Sequence, residues 1–146
     1  MAVYGAITEF ATQEPLLNAE VLAFDPTDSL HRVTAMVDHQ GRYMLGLFEV
    51  RNYVIRFDAP GHVPRHVLVE MQGPTDEQWT HGYGLSVDMS LFQEVHGFDL
   101  TMDGTPVGKG IYDPISDVFI WDDAHSKAIR SRQKEITKTY KQQVGR

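Results

Sequence analysis

The sequence predicts a mainly β protein: a β-sandwich of about seven strands, then a C-terminal β-segment and a basic helix. Three observations predict it. Short segments of period-two alternation recur at near-regular spacing, the pattern of sheets with one packed face and one wet face. Turn chemistry separates them, above all at Asp38-His39-Gln40-Gly41 and Ala59-Pro60-Gly61. From Asp122 onward the alternation stops and the chain becomes cationic.

Val3 to Phe10 alternates and reads as the first strand, followed by a turn-rich link through Pro15. Glu20 to Asp25 is the second, with Val21 and Ala23 on one face and Leu22 and Phe24 on the other. Pro26 to Leu30 reads as a turn, and Arg32 to Val37 as the third strand. Gly41 supplies the positive φ of a hairpin before the fourth, Arg42 to Leu47, where Tyr43 and Leu45 face together. Asn52 to Asp58 is the fifth, with Tyr53, Ile55 and Phe57 on one face. Val63 to Met71 is the sixth, with Val67 and Val69 on one face. Residues 72–84 are loop-like, and Leu85 to Leu91 alternates as one more strand. Gly108 to Tyr112 and Val118 to Trp121 form a hairpin across Asp113-Pro114-Ile115-Ser116-Asp117. Asp122 has the chemistry of an N-cap, and Asp123 suits the positive end of a helix running to about Lys141. Its apolar stripe is thin (Ile129, Ile136, Tyr140 and Val144), so it needs a surface to pack on.

The pattern at Gly5, Glu14, Pro15, Leu16, Ala19, Val21, Gly41, Tyr43, Gly46, Leu47, Tyr53, Ile55, Pro60, Gly61 and Pro64 resembles the carboxypeptidase regulatory-like, transthyretin-like domain. The resemblance covers about residues 3–71 and implies a transthyretin-like, Ig-like sandwich. Two positions depart from it. Asn52 stands where the family has glycine, a residue that still tolerates left-handed φ, and His62 stands where the family is usually aromatic. Ser90, Leu91, Phe92, Gly97, Pro106, Val107, Gly108, Lys109, Tyr112, Asp113, Pro114, Phe119, Trp121 and Asp122 resemble the region that follows such a domain in uncharacterised envelope proteins of Gram-negative bacteria. The domain division that follows is 1–71 for the sandwich, 72–121 for a loop and β extension packed on it, and 122–146 for the helix.

At 146 residues the chain has room for one domain, or a small domain with an appendage. The absence of cysteine excludes disulfides, thiolate metal sites and cysteine nucleophiles. No apolar run approaches the roughly 20 residues of a membrane helix. The first residues lack the basic and apolar regions of a signal peptide. The expected location is therefore the periplasm, cell envelope or exterior if Met1 is an added start, and a cytoplasmic assembly otherwise. The net charge is −7, unevenly divided. Residues 1–121 hold 6 basic and 17 acidic side chains; residues 122–146 hold 7 and 3. An acidic body repels nucleic acid, while the tail suits a solvated helix face or an acidic partner.

Catalytic motifs do not assemble. His62 and His66 on a strand stand ~13 Å apart, too far to share a metal, and no compact ligand set involves His31, His39, His81, His96 or His125. Asp122-Asp123 is explained by helix capping and Asp76-Glu77 by a solvated loop. No serine sits in a nucleophile elbow, and Gly104 to Gly110 has the wrong spacing to cradle phosphate. The transthyretin-like fold also hosts a 5-hydroxyisourate hydrolase whose tail signature is missing from the final Lys-Gln-Gln-Val-Gly-Arg. The expectation is no catalytic residue, no metal, no cofactor and no enzymatic activity. It is instead a structural or adaptor module of a larger cell-envelope or secreted assembly, binding other proteins or itself. It would dock through sheet edges and through Ile129, Arg130, Ile136 and Tyr140 of the helix, with Lys109 as a further contact. Two alternatives stand beside it: a carbohydrate-binding accessory domain stacking sugars on Trp79 and Tyr83, and a subunit of a secretion or phage-tail-like particle.

Overall fold

A computed structural model describes residues 1–144. Two sheets face each other. The smaller is built on β1 (Ala2–Glu9), which pairs antiparallel with β4 (Arg42–Gly46) and parallel with both β7 (Gly84–Ser86) and β8 (Met89–Leu91). The larger, six-stranded sheet has the order β10 (Val118–Trp121), β9 (Lys109–Asp113), β6 (Arg65–Glu70), β5 (Asn52–Asp58), β2 (Glu20–Asp25), β3 (Asp28–Met36). Two helices complete the described chain: the single turn α1 (Asp76–Trp79) and the long α2 (Asp123–Val144). The architecture is the expected β-sandwich with a C-terminal helix.

Alternation decides what is inside. Val3 and Ile7 of β1, Tyr43 and Leu45 of β4, Val21 and Ala23 of β2, Tyr53, Ile55 and Phe57 of β5, and Val67 and Val69 of β6 form one buried core. Tyr43 packs edge-on to Phe57, with ring centroids 5.5 Å apart. Segment 72–121 contributes strands to both sheets, so the same core includes Leu85, Met89, Leu91 and Phe119.

Beyond shifts of one or two residues at strand ends, as in β6 (Arg65–Glu70 rather than Val63–Met71), the structure differs from the sequence-based expectation at four places. β3 begins at Asp28 rather than Arg32, because the turn closes over two residues with Asp25 paired to Asp28; the register shifts between Phe24 and Asp25, and the extra residues 29–31 bulge on β3. The loop-like segment holds α1, whose Thr75 and Gln78 form a reciprocal capping box. Asn52 lies in β5 opposite Glu70 and does not adopt a left-handed φ. Finally, the strand expected over Leu85 to Leu91 is broken in two. At the break the Asp88 carboxylate accepts the Ala6 N–H at 2.9 Å, and the Val87 carbonyl accepts the buried Tyr43 hydroxyl at 2.6 Å. A side chain replaces a ladder acceptor there, and β1 passes so close that a Cβ on Gly5 would lie 2.1 Å from the Val87 oxygen.

Candidate functional site

α2 begins where the sequence places it. The Asp122 carboxylate accepts the N–H groups of Ala124 and His125, at 3.0 and 3.4 Å. Its apolar stripe is consumed inside the chain. Ile136 and Tyr140 join Val63, Phe92 and Leu100 in a second buried cluster, and Ile129 is buried as well. The Tyr140 ring lies 4.6 Å from Phe92 and 5.7 Å from Phe10. Its hydroxyl donates to Glu9 at 2.8 Å and accepts the Gln93 N–H at 3.1 Å. Burial alone would raise the pKa of Glu9, but hydrogen bonds from Thr12, Tyr140 and Ala11 hold it below its ordinary value. Burial raises that of Tyr140.

Ile129, Ile136 and Tyr140 are therefore corrected as partner contacts: a helix with so thin a stripe gains its stability by laying it on its own body. Lys109 is not free either, because it pairs with Glu70 at 3.0 Å across β6 and β9, which raises its pKa. Arg130 does stay exposed. With Lys134, Lys138 and Lys141 it forms a cationic row on the outer face of α2. The sequence signal for those three lysines was the charge asymmetry, which named no individual residue.

Trp79 and Tyr83 come together, but not as a platform. Their rings meet edge to face at 4.9 Å, and both pack on Phe119, at 5.8 and 5.3 Å. The Tyr83 and Tyr112 hydroxyls donate to one oxygen of Asp117, at 2.6 and 2.7 Å. Asp117 sits at φ 54 in the β9–β10 turn. These two hydrogen bonds lower its pKa, and burial followed by Asp117 raises that of Tyr83. Perpendicular rings braced against a core phenylalanine tie the α1 loop to the hairpin; a flat stacking surface is not formed.

One constellation escaped the sequence analysis. Arg51, between β4 and β5, reaches Asp25 at 2.9 Å and Glu49 at 2.8 Å. It also donates to His31 at 2.7 Å, so His31 Nε2 accepts and Nδ1, 3.3 Å from Glu49, carries the proton. Asp25 is 6% exposed. The Thr27 hydroxyl and N–H, then Arg51, pull its pKa down to about 2. A pKa below the unfolded value stabilises the fold above the ordinary aspartate range, and that contribution is lost as pH falls from 3.8 through about 2. Arg51→Met is expected to lower the urea midpoint at pH 7. The gap from the parent should narrow as the pH approaches 2, because the carboxylates left unpaired discharge; denaturation series at both pH values check this. No motif predicts this group, since its members come from two separate stretches, the β2–β3 hairpin and the β4–β5 connection.

Among the described residues no three His, Asp or Glu side chains are arranged to hold a metal ion. His62 bonds the Pro60 carbonyl of its own turn at 3.0 Å, and His125 ties the start of α2 to the Pro106 carbonyl at 2.7 Å. No described helix is long and apolar enough to cross a membrane.

The fold and these sites define a β-sandwich module with a docked C-terminal helix. No family model matches the chain, and no curated protein matches it. Solved structures do. One is the TIE protein of Bacillus anthracis, at 13% identity and a TM-score of 0.43, covering 63% of this chain and 16% of that one. Another is chlorocatechol 1,2-dioxygenase from Pseudomonas putida, at 11% and 0.44, covering 63% and 59%. A third is a chain of a type II cohesin–X-dockerin complex from Acetivibrio cellulolyticus, at 12% and 0.38, covering 68% and 64%. The chain thus spans less than two thirds of each of these proteins. One expectation is corrected here. Several of the similar structures are dioxygenases, at 10 to 17% identity, so the exclusion of an enzyme is withdrawn. Identities this low assign no reaction to the chain.

Proposed function

We propose that this chain is a protein-docking module, and that α2 presents the docking surface through its charges rather than its apolar stripe. The observation that carries this reading is the outer face of α2. Arg130, Lys134, Lys138 and Lys141 are all exposed, and among the described residues none is held in an ion pair, although the body bears a large excess of carboxylates. Such a face selects an acidic protein surface and speeds encounter with it. The free edges of β3 and β10, each paired on one side only among the described strands, offer main-chain donors and acceptors to the same partner. A place in a cell-envelope or secreted assembly belongs to this proposal and rests on the likeness to carboxypeptidase regulatory-like and Gram-negative envelope sequences. The division at residues 71 and 121 is part of it too.

The test is capture of partners from the native host with the full chain, compared with K134E/K138E/K141E. Reversal on the solvent face leaves the buried stripe intact. It should reduce capture by about 10-fold or more, and raised salt should weaken the parent in the same direction. Equal capture by both forms would refute the role of the helix face.

A further inference from the structure

Alternation along β6 places Arg65 on the same side as Val67 and Val69, pointing between the sheets. Its Nη1 donates to the Ser90 carbonyl at 2.9 Å, bridging β6 to β8 across the open side of the sandwich. The guanidinium carbon stands 5.4 Å from the centre of the Phe92 ring. Arg51, Arg56 and Arg132 each hold a carboxylate, whereas Arg65 holds none among the described residues. A half-buried cation with one carbonyl for company is incompletely satisfied, and burial lowers its pKa. Ser90 and Arg65 line one cleft of about 420 Å³ between the sandwich and α2, within the range of small-molecule sites. Its other walls are mixed: Met89, Val107 and Trp121 are apolar, Ser86 and Asp88 are polar, and Ser126 and the Gln133 amide stand on the helix side.

We infer that this cleft binds a small monocarboxylate with an apolar body, the carboxylate pairing with the inward-facing guanidinium of Arg65. One planar carboxylate matches the donors Arg65 has left over. Asp88, on the same wall, opposes a second negative charge, which disfavours a phosphate dianion. Met89, Val107 and Trp121 would cover the apolar remainder. The inference is independent of the docking role of α2, since it uses the inner rather than the outer side of that helix.

Amide NMR titration of the full chain with phenylacetate, 2-phenylacetamide and inorganic phosphate tests it. Phenylacetate should give saturable shifts at Ser90 and Val107. The neutral amide, the same shape without the charge, should bind at least ~10-fold more weakly, as should phosphate. Arg65→Met should abolish the response. Ser126→Trp, which keeps Arg65 and fills the cleft from α2, should do the same while the spectrum stays folded. Absence of saturable shifts in the parent, equal binding of acid and amide, stronger binding of phosphate, or a normal response from Ser126→Trp would each overturn it.

Discussion

Gly5→Val is expected to destabilise the fold by upwards of ~3 kcal/mol, the high end for overpacking, because the new side chain meets backbone rather than a movable side chain. The Val87 oxygen and carbon would lie 2.1 and 2.6 Å from the first added carbon, and Asp88 Oδ1 at 2.9 Å. Relief requires β1 to move away from the β7–β8 break. That would stretch the Ala6–Asp88 hydrogen bond and displace the carbonyl that receives the Tyr43 hydroxyl, in the middle of the main core. A loss of this size is a large share of the stability of a domain this small. Gly61→Ala is the comparison. Gly61 has φ +74 but nothing within 4 Å of its Cβ position, so it carries only the backbone penalty of about 1–2 kcal/mol. Guanidinium midpoints of the two variants and the parent separate the causes. A Gly5→Val protein no weaker than Gly61→Ala would show that the strands part easily at the break.

The same glycine illustrates what the sequence could reveal. Gly5 was legible as a marked position, through its place in a family-like pattern, but not the reason for it, which lies 82 residues on in a broken strand. Strands with clean alternation were read nearly to the residue: β2 and β5 occupy the expected spans. Where side chains compete with the ladder, the reading failed. Asp88 interrupts a run whose polarity still alternates, and a period-two pattern contains no sign of that. For the candidate sites the limit was different. Residue types were visible but their orientation was not. Tyr140 read as an exposed anchor because a helix wheel shows only its stripe, whereas Glu9, its buried acceptor, comes from the other end of the chain. Arg51 and Arg65 carry no motif that sets them apart in the sequence, yet one is surrounded by carboxylates and the other has none among the described residues.

Tyr140→Ala is expected to cost ~3–5 kcal/mol, in the range of large aromatic truncations in a core. The ring closes an aromatic cluster with Phe10 and Phe92, and the hydroxyl serves both Gln93 and Glu9. Truncation opens a cavity and leaves a carboxylate, 6% exposed, with less of the hydrogen bonding that keeps it charged. Tyr140→Phe isolates the second effect and should cost about 1–3 kcal/mol. Because that support favours the charged form, it acts above the ordinary glutamate range and fades on acidification, so the Tyr140→Phe deficit should shrink below pH 4.5. The location of the damage is predictable as well. The cluster under α2 is separate from the main sandwich core, so the helix is expected to open as its own cooperative unit. Trypsin should then cut Tyr140→Ala within α2, at Lys127, Arg130, Arg132 or Lys134, under conditions where Arg56 in the sheet stays protected. Simultaneous cleavage at both would show that helix and sandwich unfold together. In that case the outer cationic face of α2 would exist only while Tyr140 holds the helix down, and docking through it would depend on the same buried ring.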